Sequence, residues 1–186
     1  MFAAALHIFA TIGQYRVRDN EYGRSMFWRQ KYEFSPTPGE RGLAVAYLMI
    51  ALFGTVLAFT VVNRLEGGSA IIRPMGLYDY WIILSGAVGA FGGLYIGCVW
   101  LGHPGLSGWW KAVVSVPVIS LVAALIAGTL ALPGHGTMFG PLGLLTTFIA
   151  HPLLALFWAA TIFAAHFRFI LWRKERDSIF AVAATQ

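Results

Sequence analysis

The chain has 186 residues, 58% of them hydrophobic and only 11% charged, with a mean hydropathy of +0.69. Soluble domains carry about 25% charged residues, so this composition excludes an ordinary water-soluble fold and identifies an integral membrane chain. A net charge of +5 would raise nucleic acid as a partner for a soluble protein, but here the basic residues flank apolar stretches, and no nucleic-acid partner is expected.

The first residues, "MFAAALHIFATIG", are apolar, with no basic n-region and no A-x-A cleavage site, and are too few to cross a bilayer. Phe2, Leu6 and Phe9 share one helical face, which predicts an amphipathic helix lying at the membrane interface. The basic and aromatic residues that follow, among them Arg16, Arg18, Arg24, Trp28, Arg29 and Lys31, suit a surface arm on the headgroups of an anionic leaflet. Residues 1–37 are therefore read as a cytoplasmic arm. The stretch "SPTPGER" then stops one element and starts another. Ser35 precedes a proline, which disfavours helix, and Thr37-Pro38-Gly39-Glu40 has capping-box spacing with proline at the first helical position.

Four apolar stretches of about bilayer length follow: 42–62, 81–101, 112–132 and 142–167, each without Asp, Glu, Lys or Arg. Of the 13 Lys and Arg residues, all but Arg64 and Arg73 lie on one side of the alternating spans, so the positive-inside rule puts both termini in the cytoplasm. The expected fold is an all-α membrane protein, a four-transmembrane-helix bundle over 38–172 with an N-terminal interfacial helix, N-in and C-in. Residues 173–186 form a cytoplasmic tail. "GHPGLSG" and "PGHGTMFGP" are short and rich in Gly and Pro, which makes spans two, three and four antiparallel neighbours.

Span two contains "SGAVGAFGGLYIG", where Gly86, Gly89, Gly93 and Gly97 fall at i, i+3, i+7 and i+11 on one stripe. Each interior glycine costs roughly 0.8–1 kcal/mol against alanine, a loss offset in lipid by close backbone approach of another helix. That helix is span three, whose small faces are Ala123-x-x-x-Ala127 and Ala124-x-x-x-Gly128, or else a second copy, another subunit or a flat pigment or lipid.

Two histidines lie in span four, His151 and His166, separated by 15 residues or about 22 Å along a helix. Such spacing suits two stacked b-type haems, with His135 and His103 as the available loop partners, or hydrogen bonding to the bacteriochlorophyll or quinone of a partner. The alternative is structural, with His151 serving the carbonyl freed by Pro152 and His166 sitting at headgroup depth. Pro117 and Pro152 are expected to kink their helices, and Ser115, Ser120 and Thr147 to satisfy the backbone groups so released.

The single cysteine, Cys98, forms no intrachain disulfide and no cysteine-based metal site, and no metal is expected. No hydrolase triad, zinc motif or phosphate loop occurs, and no Asp, Glu, Lys or Arg stands mid-span as carriers require. These features predict a non-catalytic accessory or assembly subunit of a larger complex, with other integral membrane subunits as partners and no resident cofactor. An aromatic content of 15% directs the context toward a respiratory or photosynthetic machine in a bacterial inner membrane. A haem- or pigment-binding anchor and a small oligomeric transporter or channel subunit stand as alternatives.

Overall fold

The computed structural model of the chain describes residues 36–65, 67 and 75–183. The interfacial helix, the surface arm with Arg16, Arg18, Arg24, Trp28, Arg29 and Lys31, and Arg73 lie outside the described residues. Among those described there are five helices and no strand: α1 (Pro38–Leu65), α2 (Leu77–Gly97), α3 (Gly105–Ala131), α4 (Gly136–Ala150) and α5 (Pro152–Ala183). Four are long and apolar enough to cross a membrane, namely α1, α2, α3 and the Pro152–Ser178 part of α5.

The start of α1 follows from its four-residue cap. The Glu40 amide donates to Thr37 Oγ1 at 3.3 Å and the Thr37 amide to Glu40 Oε2 at 3.0 Å, so two orphan donors are satisfied reciprocally. A third is met from outside the helix, because the Gly39 amide donates to Glu175 Oε2 of α5 at 2.7 Å. A carboxylate at this position also complements the positive end of the helix dipole.

The second helix begins at Leu77, four residues earlier than the apolar stretch implied, and takes Asp79 into its first turn. Asp79 is buried, and its Oδ2 accepts the Gly76 amide at 2.8 Å. Its end comes correspondingly early, at Gly97, and Gly102 and Gly105 turn the chain at positive φ, +79° and +82°.

The largest departure from expectation is in 142–167, which is not one span. Pro152 lacks an amide hydrogen and excludes its predecessor from the helical region, and His151 accordingly sits at φ −131° and ψ 74°. The chain breaks there. The His151 amide still closes α4 onto the Thr147 carbonyl at 2.9 Å, while the His151 carbonyl opens α5 by accepting from Leu154 at 2.9 Å. At 15 residues α4 is about 22 Å long, short of the ~30 Å hydrocarbon thickness, so the fourth span is supplied by α5 alone.

Around the core, α2 packs between α1 and α3, and α5 lies against α1, while α4 joins α3 to α1 near their C-terminal and hence opposite-to-start ends. Ile50, Leu94, Ile119, Trp158 and Ile162 meet in the interior, with the Tyr47 ring tilted against Phe91 at 4.8 Å and edge-on to Phe169 at 6.2 Å between three helices. Among the described residues one end of the bundle carries Arg41, Lys111, Arg168, Arg173, Lys174 and Arg176, and the other only Arg64.

The cap on α1 is separable from the core. Thr37→Ala should lower stability by about 1 kcal/mol, read as an earlier unfolding midpoint in mixed micelles, with the helical content of the folded state unchanged. An unaltered midpoint would show that the cap is not holding α1.

Candidate functional site

The glycine stripe of α2 is the most specific feature of the sequence, and its surroundings are now visible. Gly86, Gly89, Gly93 and Gly97 are all buried against helices of the same chain. A Cβ on Gly89 would stand 2.5 Å from the Ala123 carbonyl oxygen and 2.8 Å from Ala127 Cβ, and one on Gly93 would stand 2.8 Å from the Ile119 carbonyl oxygen. Gly97 receives the side chain of Ile119, and the adjacent Gly92 receives Ile126 Cδ1. Gly89, Gly93 and Gly97 therefore form the α2–α3 seam and not an open groove for another subunit, because backbone-level contact with α3 leaves no room for a second helix.

Gly86 turns the other way. A Cβ there would reach within 2.6 Å of the Gly54 carbonyl oxygen in α1, and a Cβ on Gly54 within 2.6 Å of the Gly86 carbonyl oxygen. In the sequence this reciprocal crossing shows only as Gly54-x-x-x-Ala58, a small-x-x-x-small pair in span one. A third seam joins α3 to α4, where Gly136 and Gly140 lie against the backbone of Gly128 and Ala124. Of the two small faces of α3, then, Ala123 and Ala127 meet α2, whereas Ala124 and Gly128 meet α4.

The four candidate histidine ligands separate into two sites. His135 precedes α4 and His151 follows it, both exposed, so their backbones are about 24 Å apart along that helix and they do not converge on one iron. At the basic end His166 is only 1% exposed, and its Nδ1 accepts the Gly102 amide at 3.1 Å. This bond requires Nδ1 to be unprotonated, which places the proton of a neutral ring on Nε2. His103 follows Gly102 directly and is held by its own contact, Nδ1 to the Trp100 carbonyl at 3.3 Å. In the 102–103 turn it is therefore the Gly102 backbone amide, and not the His103 ring, that is hydrogen-bonded to His166.

Gly102 is required at that junction for two reasons. Its φ of +79° favours glycine, and a Cβ would stand 2.8 Å from Phe169 Cβ and 3.0 Å from Arg173 Nε. Among the described residues, no group of three or more His, Cys, Asp or Glu side chains could hold a metal ion.

The hydroxyls act differently from expectation. The carbonyls freed by Pro117 and Pro152 are those of Val113 and Phe148, four residues back, but Ser115 donates to Ala112, Ser120 to Val116 and Thr147 to Gly143, each at 2.7 Å. Ser120 has a second role, since its Oγ accepts Trp158 Nε1 at 2.7 Å and so joins α3 to α5 in the interior. Trp158 is 2% exposed and packs 5.9 Å from Phe53. At the less basic end, side chains cap neighbouring helices: Tyr78 Oη and Trp81 Nε1 donate to the carbonyls of Ala131 and Leu130, and Arg64 Nη1 donates to that of Thr146 at 2.6 Å. Trp81 is therefore a cap for the last turn of α3.

Gly89→Leu and Gly93→Leu should each prevent α2 and α3 from closing, costing roughly 1–3 kcal/mol or more and giving a polydisperse product even when the chain is expressed alone. Normal elution of both as isolated proteins would contradict an intrachain seam. Separately, a double-mutant cycle with Trp158→Phe and Ser120→Ala should give a coupling of about 0.6 kcal/mol, up to ~1.7, and zero coupling would exclude the bond. Compared with family models, with curated proteins and with solved structures, the chain has no match.

Proposed function

We propose that the chain is a non-catalytic accessory or assembly subunit of a larger membrane complex, seated in a bacterial inner membrane with its basic end toward the cytoplasm. The orientation rests on the excess of Lys and Arg at that end. A respiratory or photosynthetic context is taken from the 15% aromatic content.

The observation that supports this reading best is the two-sidedness of α4. Gly136, Gly140, Gly143 and Thr147 fall at i, i+4, i+7 and i+11, and contacts from this row reach α3 and α1. On another row with the same spacing stand Met138, Leu142, Leu145 and Ile149, exposed by 79, 56, 55 and 72%. A helix too short to span is held to its own bundle by small residues and turns large flexible ones away from it. Such a ridge offers i/i+4/i+7 anchors to the side of a partner helix. With the α2 stripe filled from within, docking is assigned to α4 in place of the glycine face. A cofactor-anchor role has less support, because the outer histidines diverge and His166, bonded through Nδ1 and with Nε2 unpartnered among the described residues, is enclosed by packed helices.

Purification in mild detergent from the native membrane at endogenous expression, followed by mass spectrometry, tests the proposal. Stoichiometric membrane subunits should travel with the chain, and the combined change Leu142→Ala, Leu145→Ala and Ile149→Ala should cut their recovery by about tenfold or more while the chain still inserts. A solitary chain, or undiminished recovery with the triple variant, would refute it.

A further inference from the structure

At the basic end, α1 and α5 leave a groove of about 310 Å³ between them, lined by Pro38, Gly39, Gly42, Arg168, Leu171 and Glu175. Two opposite charges face it. Arg168, Leu171 and Glu175 stand at i, i+3 and i+7 on one side of α5, so the guanidinium and the carboxylate belong to the same wall, about 10 Å apart along the axis.

The Arg168 stem lies along the bare backbone of Gly42, its Cδ 3.5 Å and Nη1 3.8 Å from where a Cβ would be. The guanidinium has no hydrogen bond or ion pair among the described residues. Glu175 uses Oε2 for the Gly39 amide and forms no ion pair with Arg168. Arg168 is exposed and directly follows the apolar stretch that ends at residue 167, so its guanidinium extends toward phosphate depth. The carboxylate lies beyond it, toward the water. Between them Leu171, 56% exposed, provides an apolar floor.

We propose that this groove binds one phospholipid whose headgroup carries both a phosphate and a primary ammonium, the phosphate on Arg168 and the ammonium on Glu175. The order of charges matches such a lipid, with phosphate at the deeper cation and ammonium at the shallower anion. Its acyl chains then run toward the bilayer centre over the face beyond Gly42. A headgroup with only negative charge would face Glu175 unfavourably, and a quaternary ammonium has no N–H to donate to it. This site depends on the four spans lying in a bilayer and is independent of any partner complex.

The test is native mass spectrometry of the full chain extracted from bilayers of equal parts phosphatidylethanolamine, phosphatidylcholine and phosphatidylglycerol. The wild type should retain one phosphatidylethanolamine in roughly fivefold excess over either other lipid, the ratio a single exposed ion pair supports. Glu175→Gln keeps an acceptor for the Gly39 amide and should bring the ethanolamine-to-choline ratio to about one with a phospholipid still bound. Arg168→Gln should lose the retained phospholipid altogether. A wild type that keeps phosphatidylglycerol preferentially, or retains the three lipids equally, would overturn the proposal without reference to any variant. So would Glu175→Gln with an unchanged lipid ratio.

Discussion

Inside a bilayer, lipid tails solvate leucine as well as other leucines do, so helices gain nothing from hiding apolar surface and must be drawn together by close contact. Everything else in this bundle depends on how that contact is made. Gly54 against Gly86, Gly89 and Gly93 against the backbone of α3, and Gly128 against Gly136 bring helix backbones together at three successive seams. Each glycine loses helix propensity, and each returns it as backbone-to-backbone packing that any Cβ would block. Joining α5 is a different matter. It meets the rest through larger side chains, with Trp158, Ile162, Ala165 and Phe169 in the core and a tryptophan–serine hydrogen bond across the interior.

The polar groups follow from the same solvent. With no water to satisfy helix ends at depth, neighbouring elements supply the partners. Glu175 serves the start of α1, Tyr78 and Trp81 the end of α3, Arg64 the last turns of α4, and the Gly102 amide finds His166. These contacts join elements far apart in sequence, and they place the charged residues at helix ends. The interior is left to alanine, glycine and large apolar side chains, with a few hydrogen-bonded polar groups among them, Ser115, Ser120, Thr147 and His166.

Much of this was legible before any coordinates. Bilayer-length apolar runs give four spans, and Thr37-Pro38-Gly39-Glu40 gives the first residue of α1, because both depend on local composition and on hydrogen bonds within four residues. The glycine stripe was visible too, and internal packing against span three was among its readings. What sequence could not supply was which neighbour faces which row: Gly86 belongs to α1, while Ala124 and Gly128 belong to α4. Nor did hydropathy reveal the break at His151, since apolar residues lie on both sides and one proline both kinks and terminates helices. The histidines illustrate the limit best. Spacing along one imagined helix put His151 and His166 in one span, but the break leaves His151 exposed at the junction before α5 while His166 is enclosed within α5.

A density map of the chain in its native membrane assembly, at a resolution that separates helices and their glycine seams, bears most directly on the central claim that the seam is closed from within. The account predicts α3 of the same chain seated on Gly89, Gly93 and Gly97, with any foreign helix lying along Met138, Leu142, Leu145 and Ile149. A helix from another subunit occupying the α2 stripe, with α3 displaced from it, would contradict the account.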